Sequence, residues 1–172
     1  MSTLGATGQR RPQLARAALL GFRDAAPAER ASFTILGTSA ATIATSRLAL
    51  YVRERRRRAP ALRSLVRRAY HLPGGGLRVH HYLPGMAVSA AAGAAAILTR
   101  RDGRELRFSL PFGLGSGLTL DEVAFLVELD NPYWGNQRLA LLEAIIASAG
   151  AAVLGARFVK RGRAFGSDVE AR

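Results

Sequence analysis

Four long stretches of apolar and small residues divide the chain, and each is close to the length that a helix needs to cross a bilayer. They cover about residues 31–52, 82–99, 108–129 and 139–159. Arginine-rich blocks separate them, such as RERRRR at 53–58. Because apolar segments with basic flanks are typical of membrane helices, the sequence predicts an all-α integral membrane protein with four transmembrane helices.

A soluble helical bundle is the alternative fold, and the mean hydropathy of the whole chain, only +0.08, is compatible with it. That low mean comes from the arginine-rich flanks. Within the four stretches the polar stripe of a soluble amphipathic helix is missing, and SAAAGAAAIL at 89–98 has no face suited to water. We therefore favour membrane helices.

Small residues recur in the spans at four-residue spacing, which lets helix backbones approach closely where lipid provides no hydrophobic drive for association. These residues are Ser89 and Gly93, Gly113 and Gly117, and then Ala147, Ala151 and Gly155. The sequence thus predicts small-residue helix packing. Four such spans enclose little interior, so we expect a homo-oligomer or a larger membrane complex, with the lipid bilayer as the surrounding partner.

The charge distribution helps to choose the partner. The chain has 25 Lys and Arg against 12 Asp and Glu, a net charge of +13, and so basic a chain usually meets phosphates of nucleic acid or of lipid. Here the cations stand in blocks between uncharged stretches rather than among aromatic residues, which favours lipid and argues against nucleic acid. No cysteine is present, so any metal would need His and carboxylate ligands.

The domain prediction follows from these blocks. Residues 1–28 are expected to form a mobile basic N-terminal tail, 29–163 the transmembrane domain, and 164–172 a C-terminal tail. The transmembrane domain includes an arginine-rich interfacial loop at 53–81. The face with this loop has ten basic residues and the other face fourteen, but the loop's densest arginines directly follow the first span. Because charges next to a span weigh most in the positive-inside rule, we assign this loop to the cytoplasmic side.

A group of polar residues falls in the half of the membrane next to that loop. Asp121 and Glu122 stand side by side within the apolar run GLGSGLTLDEVAFLVEL, and Arg47 lies at a matching depth in the first span. A charge at such depth costs several kcal/mol unless it is paired, protonated or hydrated. The remaining members are predicted to be His80, His81 and Glu143, with Asp130, Tyr133 and Trp134 at the rim.

Two chemistries fit this group. His80, His81, Asp121 and Glu122 offer the nitrogen and oxygen ligands of a divalent metal ion, the only cofactor that the sequence suggests. The same residues could relay protons as part of a transporter. With a metal bound, a third possibility is an intramembrane hydrolase in which the metal activates water.

The competing interpretation is structural. Arg47 would neutralise Asp121 or Glu122, and the chain would be a structural or accessory membrane subunit. Adjacent residues on a helix point about 100° apart, so the two acids cannot readily face one ligand. The sequence leaves these functions open, including whether the protein is an enzyme.

Three motifs occur in the middle part of the chain: His80-His81-Tyr82 followed by Gly85, the glycine-rich GSGLTLDEVAFLVEL stretch, and Tyr133-Trp134. Together they resemble an uncharacterised family of small prokaryotic polytopic membrane proteins. The resemblance covers about residues 78–135. It implies a membrane protein in which these residues belong together, and it implies no particular activity.

Overall fold

A computed structural model of the chain describes residues 6–57, 81–99, 105–122 and 137–170. All regular structure within these ranges is helical, which confirms the all-α prediction for the described part of the chain. The five helices are α1 (Ala6–Asp24), α2 (Pro27–Arg57), α3 (Tyr82–Thr99), α4 (Glu105–Asp121) and α5 (Gln137–Glu170).

Three of the described helices are long and apolar enough to cross a membrane. The qualifying segments are Pro27–Val52 in α2, all of α3, and Leu139–Ala164 in α5. Large apolar side chains such as Leu98 and Ile145 stand exposed on their outer surfaces, 84% and 63% accessible respectively. Apolar surface of this extent is unfavourable in water and suits lipid, so the helices support a membrane protein.

The third predicted span differs from the helix that occupies its place. Helix α4 ends at Asp121, and the N–H of Glu122 bonds to the Thr119 carbonyl at 3.2 Å in a turn. Residues 123–129 lie outside the described residues. With 17 residues α4 is about 25 Å long, short of a hydrocarbon layer of about 30 Å. The described helices of full span length therefore number three.

The helices pack in a row, with α3 on α4, α4 on α2, α2 on α5, and α5 on α1. Helices α2 and α4 run parallel, since Gly113 approaches Ile35 and Gly117 approaches Ser39. Helices α3 and α5 run opposite to their neighbours. The helix axes of the row thus have two ends. We call the end at which α2 and α4 begin the α1 side, and the end at which α2 and α4 finish the Arg47 side.

Glycines on both flanks of α4 let it pack closely between two neighbours. A Cβ on Gly117 would lie 2.8 Å from the Ser39 carbonyl oxygen of α2. On the opposite flank, a Cβ on Gly115 would lie 2.6 Å from the carbonyl oxygen of Gly85 in α3. Since both distances are shorter than real Cβ contacts, only glycine permits this packing, as expected for membrane helices.

Helix α1 and the last part of α5 are helical segments outside the predicted spans. Helix α1 packs antiparallel on α5, with Gly21 against Phe158 and Gly162 against Ala17. The Phe158 ring meets Phe22 edge-on at 5.4 Å between centroids. The segments 1–28 and 164–172, where the sequence predicts tails, therefore contain α1 and the end of α5. Small residues at the crossing explain how a basic helix can pack there.

Candidate functional site

Arg47 and Asp121 form an ion pair where α2 and α4 meet. The Arg47 Nε atom donates to Asp121 Oδ1 at 2.6 Å, and Nη2 donates to the Asp121 backbone carbonyl. The Asp121 side chain is buried, with 4% of its surface accessible, while that of Arg47 is 21% accessible. One guanidinium thus satisfies both a carboxylate and a carbonyl at the end of a helix.

Glu122 faces a different helix from Asp121. Its Oε2 atom accepts a hydrogen bond of 2.9 Å from the backbone N–H of Tyr82, the first residue of α3. This N–H has no carbonyl partner within its own helix. Although Glu122 is also buried, its carboxylate therefore caps α3.

Each of these charges lies at a helix end of opposite partial charge. The Arg47 guanidinium lies at the C-terminus of α4, where backbone carbonyls leave a partial negative charge. The Glu122 carboxylate lies at the N-terminus of α3, where N–H groups leave a partial positive charge. Because Glu122 follows the last residue of α4, the two acids avoid the angular constraint of a continuous helix. Asp121 and Glu122 at the end of α4 therefore join this helix to both α2 and α3.

Glu143 lies on α5 within electrostatic range of Asp121 and Arg47. Its Oε2 atom is buried and has no hydrogen-bond partner among the described residues. A buried polar atom left without a partner costs free energy, so such an atom often marks a proton or a water. Glu143 thus belongs to the predicted polar group but takes no part in the Arg47–Asp121 ion pair.

The residues of the predicted metal site are only partly brought together. His81 is exposed in the turn before α3 and lies within electrostatic range of Asp121. Within the described ranges no three His, Asp or Glu side chains form a group that could hold a metal ion. Both carboxylates already bond to protein donors. The sequence-based metal prediction thus gains no support from the described geometry.

Four residues of the sequence-based site lie outside the described residues. They are His80, Asp130, Tyr133 and Trp134. Their predicted roles therefore remain predictions.

A second ion pair, between Arg161 and Glu29, lies at the α1 side and was not predicted from the sequence. The Arg161 Nη1 atom donates to Glu29 Oε2 at 2.9 Å, which joins α5 to the start of α2. The two residues are 132 positions apart. The sequence shows only that Glu29 stands just before the first predicted span and Arg161 just after the last.

Hydroxyl groups along α2 and α4 are also satisfied within the helix row. Ser39 Oγ donates to the Gly113 carbonyl at 2.9 Å across the α2–α4 contact. Thr38 and Thr42 hydroxyls donate to carbonyls one turn earlier in their own helix. This is the pattern expected where no water competes for hydrogen bonds.

No family model, no curated protein and no solved structure matches this chain. The resemblance to a family of small membrane proteins accordingly remains a prediction, and the functional argument rests on the geometry above.

Proposed function

We propose that this chain is a four-span integral membrane protein that acts as a structural or accessory subunit of a membrane assembly. In this proposal the third predicted span, about 108–129, crosses the membrane, and α4 is its described part. Support comes from Leu106, Leu110 and Leu114, which recur along the outer surface of α4 and are exposed as lipid-facing residues would be. The loop at 53–81 stays assigned to the cytoplasmic side, on the positive-inside argument.

The observation that carries the structural role is the use made of the buried charges. Arg47 contacts the C-terminus of α4, and Glu122 contacts the N-terminus of α3. Charges placed in this way fix the relative depth of three helices, as buried polar groups fix register in other helical assemblies. Neither side chain is left to bind a substrate in this arrangement.

The test replaces the ion pair by apolar residues of similar size. Arg47→Met or Asp121→Leu alone leaves a buried charge unpaired, so each should cost about 3 kcal/mol in free energy of unfolding. The double variant removes both charges and should recover most of that loss. In a strain that lacks the protein, we expect the double variant to support growth as well as the wild type does.

A double variant that is as stable as the wild type but fails in cells would overturn the structural role, because the charges would then be needed for chemistry. Arg55→Gln serves as the control, since Arg55 is exposed near the end of α2 and stacks over the Tyr51 ring at 5.3 Å. It removes an arginine on the same helix without touching the pair.

A second function, proton exchange, is favoured by Glu143 alone. Its Oε2 atom has no hydrogen-bond partner in the part of the chain that the structure describes, and it lies within electrostatic range of the Arg47 guanidinium. Protonation of Glu143 would then alternate with its attraction for Arg47, which is the elementary step of a proton relay. The exposed His81 would connect the group with water at the membrane surface.

Proton flux into liposomes separates the two functions. Wild-type protein would be reconstituted with a pH-sensitive dye inside the vesicles, and a membrane potential would be imposed. A relay predicts flux that Glu143→Gln abolishes and Ser148→Ala, an exposed change on the same helix, preserves. If the wild-type protein gives no more proton flux than empty liposomes, the proton relay is excluded and the structural role is the remaining proposal.

A further inference from the structure

Basic side chains gather around the turn between α1 and α2, on the α1 side of the helix row. Arg30 Nη1 donates to the Arg23 carbonyl at 3.4 Å across this turn. On α5, the spacing i, i+3 and i+4 brings three further basic residues to one face. We name the group the turn cluster, and its members are Arg23, Arg30, Arg157, Lys160 and Arg161.

The turn cluster has more cations than its neighbouring acids can neutralise. Among the side chains that the structure describes, two carboxylates, those of Asp24 and Glu29, lie among the five basic residues. Glu29 accepts from Arg161, and Arg157 and Asp24 lie within electrostatic range of that pair. The excess positive charge is accessible, because the side chains of Arg23, Arg157 and Lys160 are exposed.

The location of the cluster is the level at which lipid headgroups begin. The apolar segment of α2 starts at Pro27, next to the turn, and that of α5 ends at Ala164. Cations so close to span ends lie in the interfacial region, at the level of the headgroup phosphates. Phosphate oxygens there would meet several guanidinium groups at once, and a guanidinium can donate two hydrogen bonds to one phosphate.

Helix α1 adds an apolar surface beside these cations, which favours lipid over nucleic acid. Leu19 and Leu20 are exposed, 50% and 38% accessible, and lie on either side of Arg16 and Arg23 around the outer surface of the helix. A helix with this distribution rests at the boundary of headgroups and acyl chains. The Gly21 contact with α5 holds this surface in place.

From these observations we propose that the turn cluster binds the phosphate of an anionic phospholipid headgroup, with the exposed leucines of α1 against the acyl chains. Arg157 is the principal phosphate donor, because it is exposed and lies within electrostatic range of the Glu29–Arg161 pair. Arg23, exposed on the outer surface of α1, adds attraction for the headgroup from a second helix. Arg161 is held by Glu29 and positions the site. The proposal concerns the α1 side and does not depend on the role of the Arg47–Asp121 pair.

The experiment measures the melting temperature of the detergent-purified full chain during titration with short-chain lipids. Phosphatidylglycerol should raise the melting temperature in a saturable way, whereas phosphatidylcholine should have little effect. Inorganic phosphate at the same concentrations distinguishes a headgroup site from an anion site and should also have little effect. The double variant Arg23→Gln with Arg157→Gln should bind phosphatidylglycerol about 30-fold more weakly.

Arg107→Gln is the matched control. Arg107 is an exposed arginine in the first turn of α4, on the same side of the row but on a helix that packs mainly against α2 and α3. It should leave the affinity for phosphatidylglycerol unchanged.

Four results would overturn the proposal. The first is equal stabilisation of the wild type by phosphatidylglycerol and phosphatidylcholine, which requires no variant to be folded. The second is an equal effect of inorganic phosphate. The third is an unchanged affinity for phosphatidylglycerol in the double variant, and the fourth is an equal loss of affinity in Arg107→Gln.

Discussion

At the scale of single residues, the position of Asp121 and Glu122 at a helix end explains how adjacent carboxylates can both be buried. In mid-helix their side chains would diverge with one of them facing lipid. At the end of α4 the backbone turns, so that Asp121 reaches α2 and Glu122 reaches α3. Each carboxylate accepts charge-assisted or backbone hydrogen bonds, which offset part of the cost of burial.

The capping role of Glu122 can be tested at the amide that it accepts. Glu122→Leu removes the acceptor, so we expect a loss of about 1–2 kcal/mol in stability and faster hydrogen exchange at the Tyr82 amide. Glu122→Gln keeps an acceptor oxygen and should lose less. Unchanged exchange at Tyr82 in the leucine variant would show that the hydrogen bond has no role in holding α3.

Residue-level pairing was predictable only where burial required it. Arg47 within an apolar span has to find an acid, and the sequence offered Asp121 and Glu122 at the same depth. The structure places Arg47 on Asp121. The acceptor role of Glu122 could not be inferred, because its donor is a backbone N–H that any residue at position 82 other than proline would supply. Glu29 and Arg161 likewise give no local signal for their contact.

At the scale of helices, close approach of backbones determines which glycines matter. Gly117 of α4 faces the Ser39 backbone, whereas Gly37 of α2 has open space around it. Both lie in apolar helices, so their intrinsic helix propensities are comparable. The difference between them isolates helix packing from helix formation.

Alanine at these two positions should have opposite effects. Gly117→Ala forces α2 and α4 apart and should cost about 1–3 kcal/mol in free energy of unfolding. Gly37→Ala should stabilise by up to about 1 kcal/mol, because alanine is the better helix former. Unfolding of both variants in mixed detergent would provide the comparison. Equal effects would contradict the α2–α4 packing described here.

Helix α1 depends on a similar contact with α5. Gly21→Ala would place a methyl group on the Phe158 carbonyl, so α1 should detach while the spans stay folded. We expect limited trypsin cleavage after the exposed Arg16 and Arg23 to become about tenfold faster. Gly37→Ala is again the control. A cleavage rate equal to that of the wild type would mean that α1 does not need this crossing.

Helix positions were predictable to the extent that apolar length defines them. The predicted second span and α3 share the bounds 82–99, and the first and fourth predicted spans lie within α2 and α5. Helix α1 was not predicted, because its closest contacts with α5 are made by the small residues Ala17 and Gly21, beside Phe22, rather than by a long run of large apolar residues. Its arginines instead suggested a tail. The end of α5 at Glu170 likewise lies in a segment, 164–172, where the sequence predicted a tail.

At the scale of the whole molecule, the helix directions define which ends share a membrane face. Helices α2 and α4 run parallel while α3 and α5 run opposite to them. If all four cross the bilayer, positions near the starts of α2 and α4 lie on the same side as the end of α5. The end of α2 lies on the other side.

Cysteine labelling can check this arrangement, because the chain has no cysteine of its own. Single substitutions Ala28→Cys, Arg107→Cys and Arg163→Cys should react together with an impermeant maleimide applied to one side. Arg55→Cys should react only from the other side. Labelling of positions 163 and 55 from one side would exclude a fourth span through α4, even if the other helices cross.

The separation of Arg47 and Asp121 in the chain has a further effect during biosynthesis. The acid is synthesised 74 residues after the arginine, an interval of roughly 4 to 15 s at ordinary translation rates. During that interval Arg47 of α2 lacks the counter-ion that it has in the finished protein. Its guanidinium must remain in contact with interfacial water, which a long arginine side chain allows. Protection of this residue before α4 arrives therefore falls to the insertion machinery.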